Sequence, residues 1–180
     1  MLTQNDVPNY EFMEQHSELI RSKAINGAVI MESMISEILT NFFGTNDTRE
    51  IISKNLFSDV LTFDQKINLF NSLNKNNLFE PTAGSKTLNS DLVYVKMFRN
   101  YMAHSILFND ANEVRRNDKK ELFYIAFTQR EKNKKIQVNL YSKDYNLEKN
   151  IFSYNFLVEI VNRSTKELLD ILEWLKTKKQ

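Results

Sequence analysis

The chain has 180 residues, 42% of them apolar and 26% charged, enough for one globular domain with a real core and unlike the composition of a disordered tail. Its net charge is +1, so no global field draws it to nucleic acid, and an RNA ligand would need a local basic patch. There is no cysteine, which excludes disulfides, thiolate metal centres and cysteine nucleophiles, and only two histidines, which disfavours a histidine-rich metal site.

The start, MLTQNDVPNYEFMEQ, is polar and acidic, without the basic head and apolar run of a signal peptide. No stretch approaches the ~20 apolar residues of a membrane span. The expectation is a cytoplasmic protein with no membrane partner. With 3 Gly and 2 Pro, long helices are favoured.

The first predicted helix covers Tyr10 to Phe43. Ile20, Ala24, Ala28, Met31, Ile35, Ile38 and Phe42 recur at three- and four-residue spacing, and Gly44 supplies the stop. Gly27, inside it, predicts close packing against another helix. A short helix is expected over Thr48 to Leu56. The next runs from Thr62 to Asn74, with Thr62 and Gln65 spaced as a capping box and Phe63, Ile67 and Phe70 on its apolar face.

Asn76 to Ser90 carries Pro81 and Gly84 and reads as a loop or helix connection. Ser90 then caps a helix whose inward face is Leu92, Val95, Phe98 and Met102. Asn109 to Lys120 is a polar, basic loop. The period then changes to two. ELFYIAFT and KKIQVNLYS, separated by QREKNK, predict a β-hairpin near residues 121–142. A last helix spans Ser153 to Thr177, with Phe156, Ile160, Leu168, Ile171, Leu172 and Leu175 apolar. No repeat or linker breaks the chain, so a single domain over 1–180 is expected. The fold class is mainly α.

Chemistry concentrates at one place. His16 lies in an acidic stretch and reads as a surface residue. His104 closes the amphipathic segment after Arg99-Asn100-Tyr101-Met102-Ala103. On a helix Asn100 and His104 stack one turn apart, and Arg99 lies one step around. A helix C-terminus favours the imidazolium, which suits acid–base work near neutrality.

Such a set can cleave RNA without a metal, because RNA carries its own nucleophile, the 2′-hydroxyl. Histidine takes or gives the proton, and an arginine fork neutralises the phosphoryl oxygens. One histidine must act twice or two must share the work, and a two-fold dimer supplies two. The plainer reading of the same spacing is an arginine bonded to a helix end and a histidine satisfied by a carbonyl. Lys96, one turn before Arg99 and Asn100, is a candidate phosphate contact. Tyr101 either stacks on a base or lines an interface. Lys96, Arg115, Arg116, Lys119, Lys120 and the run Arg130 to Lys135 are the basic residues available to an RNA patch, or else solvated surface.

At these residues the sequence resembles the HEPN superfamily, whose hallmark is an Arg, four to six residues, then a His, with a polar residue often directly after the Arg. Asn100 fills that place, and FRNYMAHSI resembles the helix end common among these proteins. LTFDQKINLFNSL looks like the helix preceding it in several bacterial branches. AVIMESMISEIL, with Glu32, fits the long first helix. The resemblance covers roughly residues 10 to 108 and the final helix, including branches near the mannitol-repressor-like proteins; the hairpin departs from it.

The resemblance implies an up-and-down helical bundle whose two protomers bring both motifs into one cleft. It implies a metal-independent endoribonuclease with Arg99 and His104 catalytic and Asn100 in support. Toxin, abortive-infection and CRISPR-linked defence roles are common there, some under an antitoxin or sensor protein. Glu32 is either a support for Arg99 or an exposed carboxylate beside Ser33 and Glu37. The competing reading is an inactive regulatory or interaction module, such as a transcriptional corepressor. With no P-loop or Gly-rich dinucleotide motif, a nucleotide-sensing role ranks last and no cofactor is expected.

Overall fold

The computed structural model describes residues 10–58, 60–83, 85–104, 106–107, 124–130, 135–141 and 152–178, with side chains for 21–57, 60–83, 85–100, 102–103 and 156–178. The expected loop from Asn109 to Lys120, the turn residues 131–134 and the side chains of His16 and Ile20 lie outside these. The protein is mainly helical: α1 (Tyr10–Phe43), α2 (Arg49–Ile52), a π-helical run (Ser53–Ser58), α3 (Phe63–Lys75), a 3-10 turn (Glu80–Thr82), α4 (Lys86–His104) and α5 (Tyr154–Thr177). Among the described residues no helix is long and apolar enough to cross a membrane. The chain gathers into two compact units: Asn26–Met97 with Ile160–Gln180, and Met1–Ile25 with Phe98–Glu159.

In the first of these, α1, α3, α4 and α5 bury a common core. Met31, Ile35, Ile38, Phe70, Leu92, Leu168 and Ile171 are all fully buried. The apolar positions fall three and four apart on each helix, and burying such a stripe is what stabilises it. Phe79, between α3 and the 3-10 turn, locks the aromatic part of this core. It stacks on Phe70 at 5.2 Å between ring centroids and meets Phe42 edge-on at 5.5 Å.

Glycine sets two close approaches. A Cβ at Gly27 would meet Val161 Cγ2 at 3.1 Å, so α1 and α5 pack nearly backbone to side chain there. Gly44 follows the end of α1 and donates its N–H to the Thr40 carbonyl at 2.8 Å. A Cβ at Gly44 would lie 2.6 Å from that same oxygen.

Polar pairs tie the helices together. Asn74 donates to Asn89 Oδ1 at 3.2 Å and accepts from Thr82 at 3.0 Å, all three residues being buried. Arg163 places Nε and Nη2 on Asp91 Oδ2 at 3.0 and 2.7 Å, linking α5 to α4. Glu167, one turn on, accepts from Ser85 at 3.4 Å. Burial raises the Glu167 carboxyl above the ordinary range, opposed by the Ser85 hydrogen bond and abetted by the charge of Asp91. Trp174 Nε1 donates to Glu80 at 2.8 Å.

Several boundaries differ from the sequence reading. The capping box at Thr62 is present, with Thr62 N–H on Gln65 Oε1 at 2.8 Å. The segment expected to be helical from Thr48 is α-helical only to Ile52 and then widens to a π-helix. α4 starts at Lys86, not after Ser90, because Ser85 is the cap: its Oγ accepts from Leu88 N–H at 3.1 Å. Ser90 instead donates back to the Thr87 carbonyl at 2.9 Å. Phe63 is half-buried rather than enclosed, and Phe156, in the first turn of α5, stays exposed.

Among its described residues the second unit carries four strands in the order β1 (Ile106–Leu107), β2 (Tyr124–Arg130), β3 (Lys135–Tyr141) and β4 (Phe152–Ser153). β2 and β3 pair antiparallel with Tyr124 opposite Tyr141 and Arg130 opposite Lys135. β1 runs parallel to β2, and β4 antiparallel to β3.

Candidate active site

The Arg99 to His104 string is held by α4, a 19-residue helix. No glycine or proline interrupts it, and its inward stripe is complete: Leu88, Leu92, Val95, Phe98 and Met102 are fully buried. That stripe fixes the helix's rotation. Lys96, Arg99 and Asn100 then share a face, being three and four residues apart. Arg99 is half-buried and Asn100 exposed.

The Arg99 guanidinium donates from Nη1 to Asn100 Oδ1 at 3.0 Å. Side chains adjacent in a helix point about 100° apart, and the long arginine side chain spans that angle. The acceptor is a neutral amide. Among the described residues no carboxylate forms an ion pair with Arg99. His104 is the last residue of α4, one helical turn beyond Asn100. The side chains of His104 and Tyr101 lie outside the described residues.

The other two expected site residues have partners. Lys96 forms an ion pair with Asp64, in the first turn of α3. Glu32 pairs with Lys66 Nζ at 2.7 Å. Lys66 is buried, while the Glu32 side chain is 33% exposed. The cation held at the Glu32 carboxylate is therefore a lysine of α3. Sequence reasoning passed over Lys66, although it lies four residues before buried Phe70 and eight before buried Asn74, the spacing of the core face. Among the described residues no cluster of three or more His, Asp or Glu side chains is arranged to hold a metal ion.

No family model, curated protein or solved structure matches the chain.

Proposed function

We propose that the chain is a metal-independent RNA endoribonuclease that works as a homodimer, in the role of a toxin or antiviral effector. Its fold on this reading is a HEPN-like up-and-down bundle carrying an inserted hairpin at β2 and β3. The observation that carries the proposal is Arg99, held by the neutral Asn100 on the helix that ends at His104. It joins the motif resemblance at the same residues.

The chemistry follows from the groups. His104 of one protomer takes the proton of the RNA 2′-hydroxyl. The 2′-oxygen attacks the adjacent phosphorus, the bond to the 5′-oxygen breaks, and the second protomer's histidine returns a proton to that oxygen. The products are a 2′,3′-cyclic phosphate and a 5′-hydroxyl. Arg99 stabilises the charge that builds on the phosphoryl oxygens, where a forked donor is worth most. Asn100 positions the guanidinium. Tyr101 holds the flanking RNA by stacking, and Lys96 joins it by exchanging Asp64 for a phosphate. An antitoxin or sensor protein keeps the activity in check in the cell.

The test is cleavage of total RNA and of transfer RNA in EDTA by the wild type, Arg99→Ala and His104→Ala. The expected result is cleavage by the wild type alone, each variant losing on the order of a hundredfold or more. Absence of cleavage by folded, dimeric wild type overturns the nuclease and leaves a regulatory module in its place.

A further inference from the structure

Two lysine–carboxylate pairs involve α3, and they differ in kind. Lys66 reaches from α3 to Glu32 with its side chain 6% exposed, so that pair is closed to water on the lysine side. Lys96 reaches from α4 to Asp64, with the lysine side chain 22% exposed and that of Asp64 53% exposed. Both members of this second pair lie in the unit formed by Asn26–Met97 and Ile160–Gln180. An ion pair open to water on both sides exchanges partners readily, because solvent screens the attraction and hydrates each charge as it leaves.

The two partners are unequally committed to each other. Asp64 sits in the first turn of α3, where the helix dipole favours a carboxylate whether or not a lysine is near. Thr62 and Gln65 hold that turn through the capping box, so its support is independent of Lys96. The Lys96 side chain is largely covered, which confines its motion to the ammonium end. Glu32 is taken by Lys66 and Asp91 by Arg163, and among the described residues the carboxylate paired with Lys96 is Asp64.

We propose that Asp64 is a built-in competitor for the RNA backbone: its carboxylate occupies the Lys96 ammonium in the free protein, and a phosphate must displace it before Lys96 can join in binding RNA. The inference rests on the nuclease reading, which supplies RNA as the ligand. Asp64 is a positioning residue that acts through Lys96 and sets how much of its charge an RNA strand can use. The competitor is tethered, so it acts at high effective concentration and discounts every phosphate contact that Lys96 makes. Its removal leaves the capping box in place and gives the whole lysine charge to the RNA.

The test is binding of a non-cleavable 2′-O-methyl RNA to the full chain, read by fluorescence anisotropy at low salt. Asp64→Asn should bind about three- to fivefold more tightly than the wild type, the scale of one exposed charge pair. Asp64→Glu keeps the charge and should bind like the wild type. In a Lys96→Met background the gain from Asp64→Asn should largely vanish, which separates competition at Lys96 from general repulsion of RNA by Asp64. The melting temperature of Asp64→Asn should stay near that of the wild type, because an exposed pair contributes little to folding. An Asp64→Asn protein that binds no more tightly than the wild type, or that gains as much without Lys96 as with it, overturns the inference and leaves the nuclease reading standing. No binding of RNA by the wild type or any variant, together with no cleavage of total RNA in EDTA, overturns both.

Discussion

Lys66 and Glu32 form an unequal pair, and the inequality can be measured. The Lys66 side chain is 6% exposed and that of Glu32 33%, with 2.7 Å between Nζ and Oε1. Removing Glu32 strands an ammonium in a site where water reaches it poorly. Breaking a buried pair this way costs about 3–5 kcal/mol. Glu32→Gln keeps a hydrogen-bond acceptor, so the low end, about 3 kcal/mol, applies. Removing Lys66 leaves a carboxylate that can turn toward solvent, and a methionine fills much of the vacated volume. Lys66→Met should therefore cost about 1 kcal/mol, near the net value of one hydrogen bond. The double variant Glu32→Gln/Lys66→Met should be more stable than Glu32→Gln alone, because the stranded charge is gone. Urea unfolding at neutral pH reads all three, with the midpoint compared at constant slope. If Lys66→Met proves the more damaging single change, or the double variant is the least stable of the set, the assignment of Lys66 as the desolvated partner is wrong.

Other outcomes follow from the same packing. Glu167 has a folded-state pKa raised chiefly by burial, so its contribution to stability is complete below the unfolded carboxylate pKa and lost as pH rises through the folded value. Glu167→Gln removes that loss: unfolding series from acid to neutral pH should show the wild type falling relative to the variant, and parallel curves would refute the shift. Phe79→Ala opens a cavity beside Phe70 and Phe42 and should cost about 3–5 kcal/mol by thermal or urea unfolding. Gly44→Ala should destabilise the chain measurably in the same assay, because its Cβ would press within 2.6 Å of a backbone oxygen. An unchanged melting temperature would show that the end of α1 shifts freely.

The legible parts of the fold were those carried by local period. The spacing of Leu92, Val95, Phe98 and Met102 gave the buried face of α4, and that face places Arg99 and Asn100 beside Lys96. The Thr62–Gln65 box was legible because both partners lie within four residues. The start of α4 was not, because Ser85 and Ser90 are equally good caps in isolation and Pro81 and Gly84 suggested a longer loop. What separates them is that Leu88, Asn89 and Asp91 are all buried, a matter of tertiary packing. The Glu32–Lys66 pair was out of reach for the same reason: its partners are 34 residues apart, and nothing in either helix alone names the other.

If the chain is a nuclease, the bond between Arg99 and Asn100 separates geometry from charge at its phosphate site. Holding a guanidinium requires an acceptor, and a carboxylate would hold it more strongly than an amide. It would also cancel the charge that the nuclease reading needs at the phosphate. Asn100→Asp keeps the shape and the acceptor, and adds one negative charge about 3 Å from Nη1. At a half-exposed site, with an effective dielectric nearer water than protein, such a pair is worth roughly 1 kcal/mol, or about a fivefold loss of affinity for a phosphate. Asn100→Ala removes the acceptor and leaves the charge. If Asn100 serves to aim an uncancelled cation, Asn100→Asp should bind a non-cleavable 2′-O-methyl RNA more weakly than Asn100→Ala and with a shallower dependence on salt, because one phosphate contact is lost. Equal affinities and equal salt slopes for the two variants would mean that Arg99 does not meet the RNA backbone, and the nuclease reading would lose its anion-binding residue.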